Sequence, residues 1–193
     1  MLCQLQTVRS RLGLTELEVQ WDALLDNAIA AVSARFDLEC NRTFARTVNI
    51  AQEFCAGDRN VVLRCHPVES VTRFDLKSNE AGGWIEQTGV NYLLKHRCVL
   101  VLEGPLGVDA QQARVTYTGG YLLPGAETIP GGTALPPDLE QAAVEQVCWW
   151  FSNRERLGLS RIWEYHGTYR DFGDLDLLSS TRAVLTRYAR LAG

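Results

Sequence analysis

Apolar residues recur every three or four positions over residues 16–40, at Leu17, Trp21, Leu25, Ala28, Ile29, Val32 and Phe36. That spacing draws one stripe along a helix. Thr15, with Glu18 three residues on, has the form of a capping box at its start. Ahead of it, Leu5, Val8 and Leu12 share a face of a shorter helix over residues 3–12, which Gly13 ends. From Arg46 to Thr118 the period falls toward two. "NVVLRC", "VTRFDL", "RCVLVLEG" and "ARVTYT" read as strands, and "HPVES", "NEAGG" and "EGPLG" as turns between them. Helical spacing returns over 138–156, with Pro136 and Pro137 at the entrance and Gly158 at the exit. A last helix is expected over 180–191, with Val184, Leu185, Tyr188 and Leu191 apolar. The order predicts a single α+β domain, 1–193. It would be mainly a helical bundle, with a β-rich insertion over about 46–118 between the second and third long helices.

The strand "ARVTYT" runs into Gly119 and Gly120, and a glycine pair after a strand can cradle phosphate. Here no Lys follows and no helix opens at the glycines, so neither a Walker loop nor a dinucleotide loop is formed. The pair reads instead as a turn into a long loop, 119–136, and the stretch from Thr118 to Pro137 around it holds four of the chain's six prolines. Loops of that length inside a compact domain are uncommon and often functional. This one is expected to be exposed in the free protein and ordered in an assembly.

The remaining numbers narrow the function classes. Hydrophobic residues make up 46% of the 193 and charged residues 22%, ordinary globular usage that argues against a disordered chain. The net charge is -4, whereas a protein that grips nucleic acid by its backbone needs a basic excess. Cys3, Cys40, Cys55, Cys65, Cys98 and Cys148 form no CxxC pair and have no histidine at ligand spacing. With no long apolar run at the start or elsewhere, the expectation is a soluble, intracellularly made protein with reduced thiols. His66, His96 and His166 are scattered, and Asp171, Asp174 and Asp176 miss the order of a calcium loop. No catalytic residue, metal ligand or cofactor is assigned.

What stands out is surface for contact. Trp149, Trp150 and Phe151 are consecutive, and turns of ~100° per residue spread them over more of a helix than one core face can take. Glu18, Asp22 and Asp26 form an acidic stripe, within a stretch (15–40) holding six acids and one Arg. The final helix carries Arg182, Arg187 and Arg190 and no acid. Complementary surfaces between neighbouring chains would use both. The segment from about Leu159 to Gly193 also holds Trp163, Tyr165, Tyr169 and Tyr188, residue types that anchor interfaces. It reads as a docking segment, or as a closing helix of the protein's own core.

In chain order, several motifs resemble a known family. They are Arg42 to Phe44 ("R-x-F"), Leu63 with Pro67 to Val71 ("L-x-x-x-P-V-x-S-V"), Val115 to Tyr121 ("V-x-Y-x-x-G-Y") and Leu135 to Ala142, which opens a helix. The chain resembles the head–tail connector, or head-completion adaptor, proteins of tailed bacteriophages. Ser179 and Ser180 stand where many members have a proline before the terminal helix. The resemblance implies a structural virion protein of the neck, assembled in the host bacterial cytoplasm. Many copies, commonly twelve, would form a ring below the portal, extending a channel through which DNA passes without specific binding. The implied partners are further copies, the portal protein and a stopper or tail-completion protein, with no membrane and no cofactor. Two other readings stand beside it, another neck component such as a stopper or tail terminator, and a small packaging-associated enzyme.

Overall fold

The computed structural model describes residues 1–156, 161–163, 169–171 and 176–190, with Arg156 and the residues of 161–163 and 169–171 described at the backbone only. The chain forms two compact units. One comprises Met1–Cys40 and Pro136–Tyr188, the other Asn41–Leu135 and Ala189–Gly193.

The second unit is built of strands. They are β1 (Thr47–Cys55), β2 (Asn60–Val62), β3 (Val68–Lys77), β4 (Ile85–Gln87), β5 (Tyr92–Lys95), β6 (Val99–Leu102), β7 (Gln112–Gly119), β8 (Tyr121–Leu122) and β9 (Thr133–Ala134). An antiparallel sheet has the order β1-β7-β3-β4, and a second has the order β2-β6-β5. The period-two pattern explains why they pack. On β7, Ala113, Val115 and Tyr117 are fully buried while Arg114 and Thr116 between them are not. Val61, Leu63, Cys65, Val68, Phe74, Leu100, Leu102, Val115 and Tyr117 form one core drawn from both sheets.

This core overturns the expectation of a mainly helical bundle. Of the described residues 32% are helical and 28% lie in strands, so the protein is a sheet-rich α+β fold. Several strands are only two to four residues long and earn their place by pairing across the chain, which local periodicity does not register. The loop after β7 is closed at its base. β8 and β9 pair in parallel, Tyr121 with Thr133 and Leu122 with Ala134. Inside it, the Ala126 N–H donates to the Leu123 carbonyl and the Gly132 N–H to that of Ile129, each at 3.0 Å. The tip, Gly125–Gly131, and Ala134 are exposed, Ile129 only to 37%.

The first unit is helical: α1 (Leu5–Leu12), α2 (Asp22–Glu39), α3 (Pro137–Ser152) and α4 (Ser179–Thr186). Between α3 and α4, β10 (Arg161–Trp163) and β11 (Tyr169–Asp171) pair as an antiparallel hairpin. On α2, Leu25, Ile29, Val32 and Phe36 have no exposed surface, the helical stripe expected from their spacing. The stripe begins later than its first member. The Thr15 N–H and hydroxyl both donate to Glu18, at 2.8 and 3.0 Å, and a 3-10 turn, Val19–Trp21, follows. Residues 15–21 are therefore a turn, and α2 opens only at Asp22. α3 opens on Pro137, with Asp138 and Glu140 in its first turn, where a missing N–H costs nothing and acidic charge favours the helix dipole. No helix among the described residues is long and apolar enough to cross a membrane.

Candidate functional site

Residues of three of the four motifs come together in the β unit, and they join backbone to backbone; the fourth, from Leu135, runs into α3. Thr43 donates its N–H to the Arg64 carbonyl (3.1 Å), Tyr121 to that of Phe44 (2.7 Å), and Arg46 to that of Tyr121 (2.9 Å). Gly120 donates to the Pro67 carbonyl at 3.0 Å. Parallel bridges link Thr43 with Cys65 and Ala45 with Tyr121. This convergence explains the glycine pair. A Cβ on Gly119 would lie 2.4 Å from the Cys65 carbonyl oxygen. One on Gly120, whose φ is +101°, would lie 2.6 Å from that of Ala45. Neither glycine faces a phosphate cradle. They let three segments of main chain cross.

Side chains complete the junction. The buried Tyr117 hydroxyl accepts the Cys65 N–H at 3.0 Å and donates to Gln52 Oε1 at 3.1 Å. Gln52 in turn accepts the Arg64 N–H and donates to the Val62 carbonyl, both at 2.9 Å. The Arg42 guanidinium donates to the His66 carbonyl and lies 4.6 Å from the centre of the Phe44 ring and 5.4 Å from that of Tyr121. Arg46 holds Glu69 with two nitrogens, at 2.9 Å each. The residues of three of the four motifs thus hold this part of the fold together.

The predicted contact residues divide. Trp149, Trp150 and Phe151 are all half-buried. Phe151 meets Trp21 edge-on at 5.5 Å, and Arg154 lies 4.3 and 4.7 Å from the two rings, so this part of the aromatic surface is used within the helical unit. Trp150 Nε1 is buried without a hydrogen-bond partner. Of the acidic stripe, Glu18 closes the turn with Thr15, and those bonds hold its carboxyl below the usual range. Asp22 is paired with Arg9, and Asp26 is half-buried on α2. The three do not form one open face.

The C-terminal candidates are spread over both units. Arg182 pairs with Asp176, and the Tyr188 hydroxyl donates to Asp138 at 2.7 Å. Arg187 is exposed, while Arg190 belongs to the β unit. Trp163 and Tyr169 are register partners in the β10–β11 hairpin, and Tyr165 lies outside the described residues. α4 itself is bound into the helical core through Thr181 and Leu185, with Leu177 just before it.

One residue matters that the pattern did not single out. Gln146 on α3 is wholly buried. Its amide donates to the Asp176 carbonyl (3.2 Å) and accepts the Leu178 N–H (2.8 Å), tying down the chain that enters α4. A glutamine inside an apolar helical run is the signal that could have found it. Leu17, counted in the α2 stripe, is 89% exposed, because the turn at 15–21 puts it out of phase with that helix. A groove of about 270 Å³ opens beside the 121–129 loop, lined by Arg46, Tyr121, Leu122, Leu123, Ala126, Glu127 and Ile129. All six cysteines are free thiols, and burial pushes the Cys3 thiol up to about 12, so it stays protonated. Among the described residues no three His, Cys, Asp or Glu side chains are grouped to hold a metal ion.

No protein-family model matches the chain, and no curated protein is significantly similar to it. Solved structures are. The fold is similar to a chain in the neck of an empty GTA particle, computed with C6 symmetry. The TM-score is 0.61 at 15% identity, covering 98% of this chain and 90% of that one. It is also similar to a chain in the neck of a native GTA particle, computed with C12 symmetry. There the TM-score is 0.53 at 15% identity, covering 98% and 89%. At that identity the likeness is one of fold.

Proposed function

We propose that this protein is a structural component of a phage-like neck, a head–tail adaptor whose copies form a ring below the portal and extend the DNA channel. The observation that carries the reading is the extent of the fold match, which spans nearly the whole of both chains rather than one shared module. The ordered motifs support it independently, since three of the four converge on one junction of that fold. The net charge of -4 fits a channel wall that DNA slides past. The reading assigns no chemistry to any residue. Its contact residues are the exposed Arg187, the hairpin holding Trp163 and Tyr169, and the half-buried Trp149 and Trp150. The partners are further copies of the chain, commonly twelve, then the portal protein and a stopper or tail-completion protein. The particle assembles in the bacterial cytoplasm.

A cyclic ring needs two different surfaces on each copy, one for each neighbour, and no twofold self-complementary patch. The free protein should therefore self-associate weakly and gather into a ring on the portal. Sedimentation over a concentration series, with and without the portal protein, tests this. The expected result is a concentration-dependent monomer alone and a large stoichiometric complex with portal. A tight dimer indifferent to portal would overturn the proposal.

A further inference from the structure

β5 and β6 are joined by a turn in which Cys98 donates its N–H to the Lys95 carbonyl at 3.1 Å. Its two central residues, His96 and Arg97, have φ of +51° and +53°. Turns with both central residues in the left-handed region are dominated by glycine, asparagine and aspartate, because a Cβ there crowds the backbone. A histidine and an arginine meet that demand only at a local cost. The turn is nonetheless held firmly. Val68 donates its N–H to the Arg97 carbonyl and Leu63 to that of Cys98, each at 2.8 Å. The Arg97 side chain donates from Nε to the Val68 carbonyl at 3.3 Å and from Nη1 to the Thr133 hydroxyl at 3.1 Å. Both acceptors are uncharged, so these bonds fix the guanidinium without neutralising it. Lys95, His96 and Arg97 are all exposed. The turn therefore sets three consecutive basic side chains on the surface of the β unit, one of them immobilised. A local rule broken within a well-packed unit, with surface cations as the gain, marks a place kept for binding.

We propose that the turn at Lys95, His96 and Arg97 is a contact for the phosphate backbone of nucleic acid. The three side chains are open to solvent and follow one another around a turn, so they do not converge on a single small ion. A row of phosphates engages them together and releases its own counterions in doing so. Arg97 offers a planar fork already held in place, and Lys95 a mobile point charge. Three such groups on a chain of net charge -4 make a weak, sequence-independent touch and no lasting grip. The choice of nucleic acid over an acidic protein rests on the neck reading, in which DNA passes the protein. Copies in a ring would repeat the touch around the channel.

The test is binding of fluorescently labelled duplexes of unrelated sequence to the full-length protein, followed by anisotropy from low to moderate salt. The parent should bind all of them weakly and alike. Log affinity should fall against log salt with a slope of about -2 to -3, as two or three neutralised phosphates require. Lys95→Glu changes an exposed position, so its thermal midpoint should match the parent's. Its affinity should fall about tenfold at low salt, and its slope should be shallower by about 1. His96→Asn combined with Arg97→Gly gives the turn the residues that it prefers, and should fold while losing most of the binding. A parent that ignores duplex at low salt, or a Lys95→Glu protein that binds as the parent does, would overturn the contact. So would poly-glutamate bound more tightly than duplex, which would assign the turn to an acidic protein surface. Ring formation on the portal is scored separately with the same proteins. Rings from a parent that ignores DNA overturn this contact and leave the neck reading standing. A parent that binds DNA through the turn and forms no ring upholds the contact, and the neck reading then fails.

Discussion

In the β unit, Arg42, Arg46, Phe44, Tyr117 and Tyr121 join separate stretches of backbone, and the strands around them close on one apolar core. In the helical unit the long side chains are divided. Phe151, Arg154, Gln146 and Tyr188 bind other parts of the same unit, while Leu17, Leu38 and Arg187 face solvent. The difference shows where long side chains are spent on the fold and where they stay open. Three of the four motifs lie where main-chain segments cross, and at Gly119 and Gly120 an added side chain would meet backbone. Residues available to another molecule lie on surfaces where the fold tolerates change.

That contrast is broken most directly at Gly119. A Gly119→Val side chain would meet the Cys65 and Pro67 carbonyls and the Val68 Cα, none of which can step aside. The expected loss is on the order of 4 kcal/mol, enough to prevent folding of the β unit. Denaturant melts followed by circular dichroism would read it, and a variant as stable as the parent would show that the crossing is loose. Next in size is Leu185→Ala on α4. If α4 is core, as its burial indicates, the loss is about 2–4 kcal/mol. If α4 were a free arm, the midpoint would not move.

Tyr117→Phe probes the junction more gently. It keeps the ring and removes the hydroxyl that bonds both the Cys65 N–H and Gln52, for an expected cost of about 1–3 kcal/mol in the urea midpoint. An unchanged midpoint would mean that the hydroxyl is not needed to satisfy the Cys65 N–H. The smallest effect on the fold belongs to Arg187→Glu, within about 0.5 kcal/mol at an exposed position. There the response should appear in assembly instead. Binding to the portal should weaken, and more at low salt than at high salt. A stability loss without an assembly defect would place Arg187 with the structural residues and remove it from the contact surface.

Much of this was legible in the sequence, and the gaps have physical causes. The run from Leu25 to Phe36 predicted a buried helical face because a single helix meets a single core there. The glycine pair was legible as a turn because both phosphate loops demand residues that are missing. Leu17 misled because spacing carries no phase, and a turn at 15–21 resets the helix that follows it. The partners of the acidic stripe were hidden for a related reason. Like charges at helical spacing look like one surface, but Thr15 and Arg9, which claim two of them, come from outside that helix. The weight of the β unit was underestimated because short strands such as β2 and β4 are recognised by their partners across the sheet more than by their own pattern. Gln146 became notable only through what surrounds it in three dimensions.

The central claim is that this fold serves as a ring in a phage-like neck. Electron microscopy of the protein mixed with its portal, sorted into two-dimensional classes and reconstructed, tests it most directly. The account predicts a closed ring of many copies, coaxial with the portal and stacked on one end of it, with an open axial channel. Portals that remain bare at saturating protein, or that carry single copies with no ring, would contradict it.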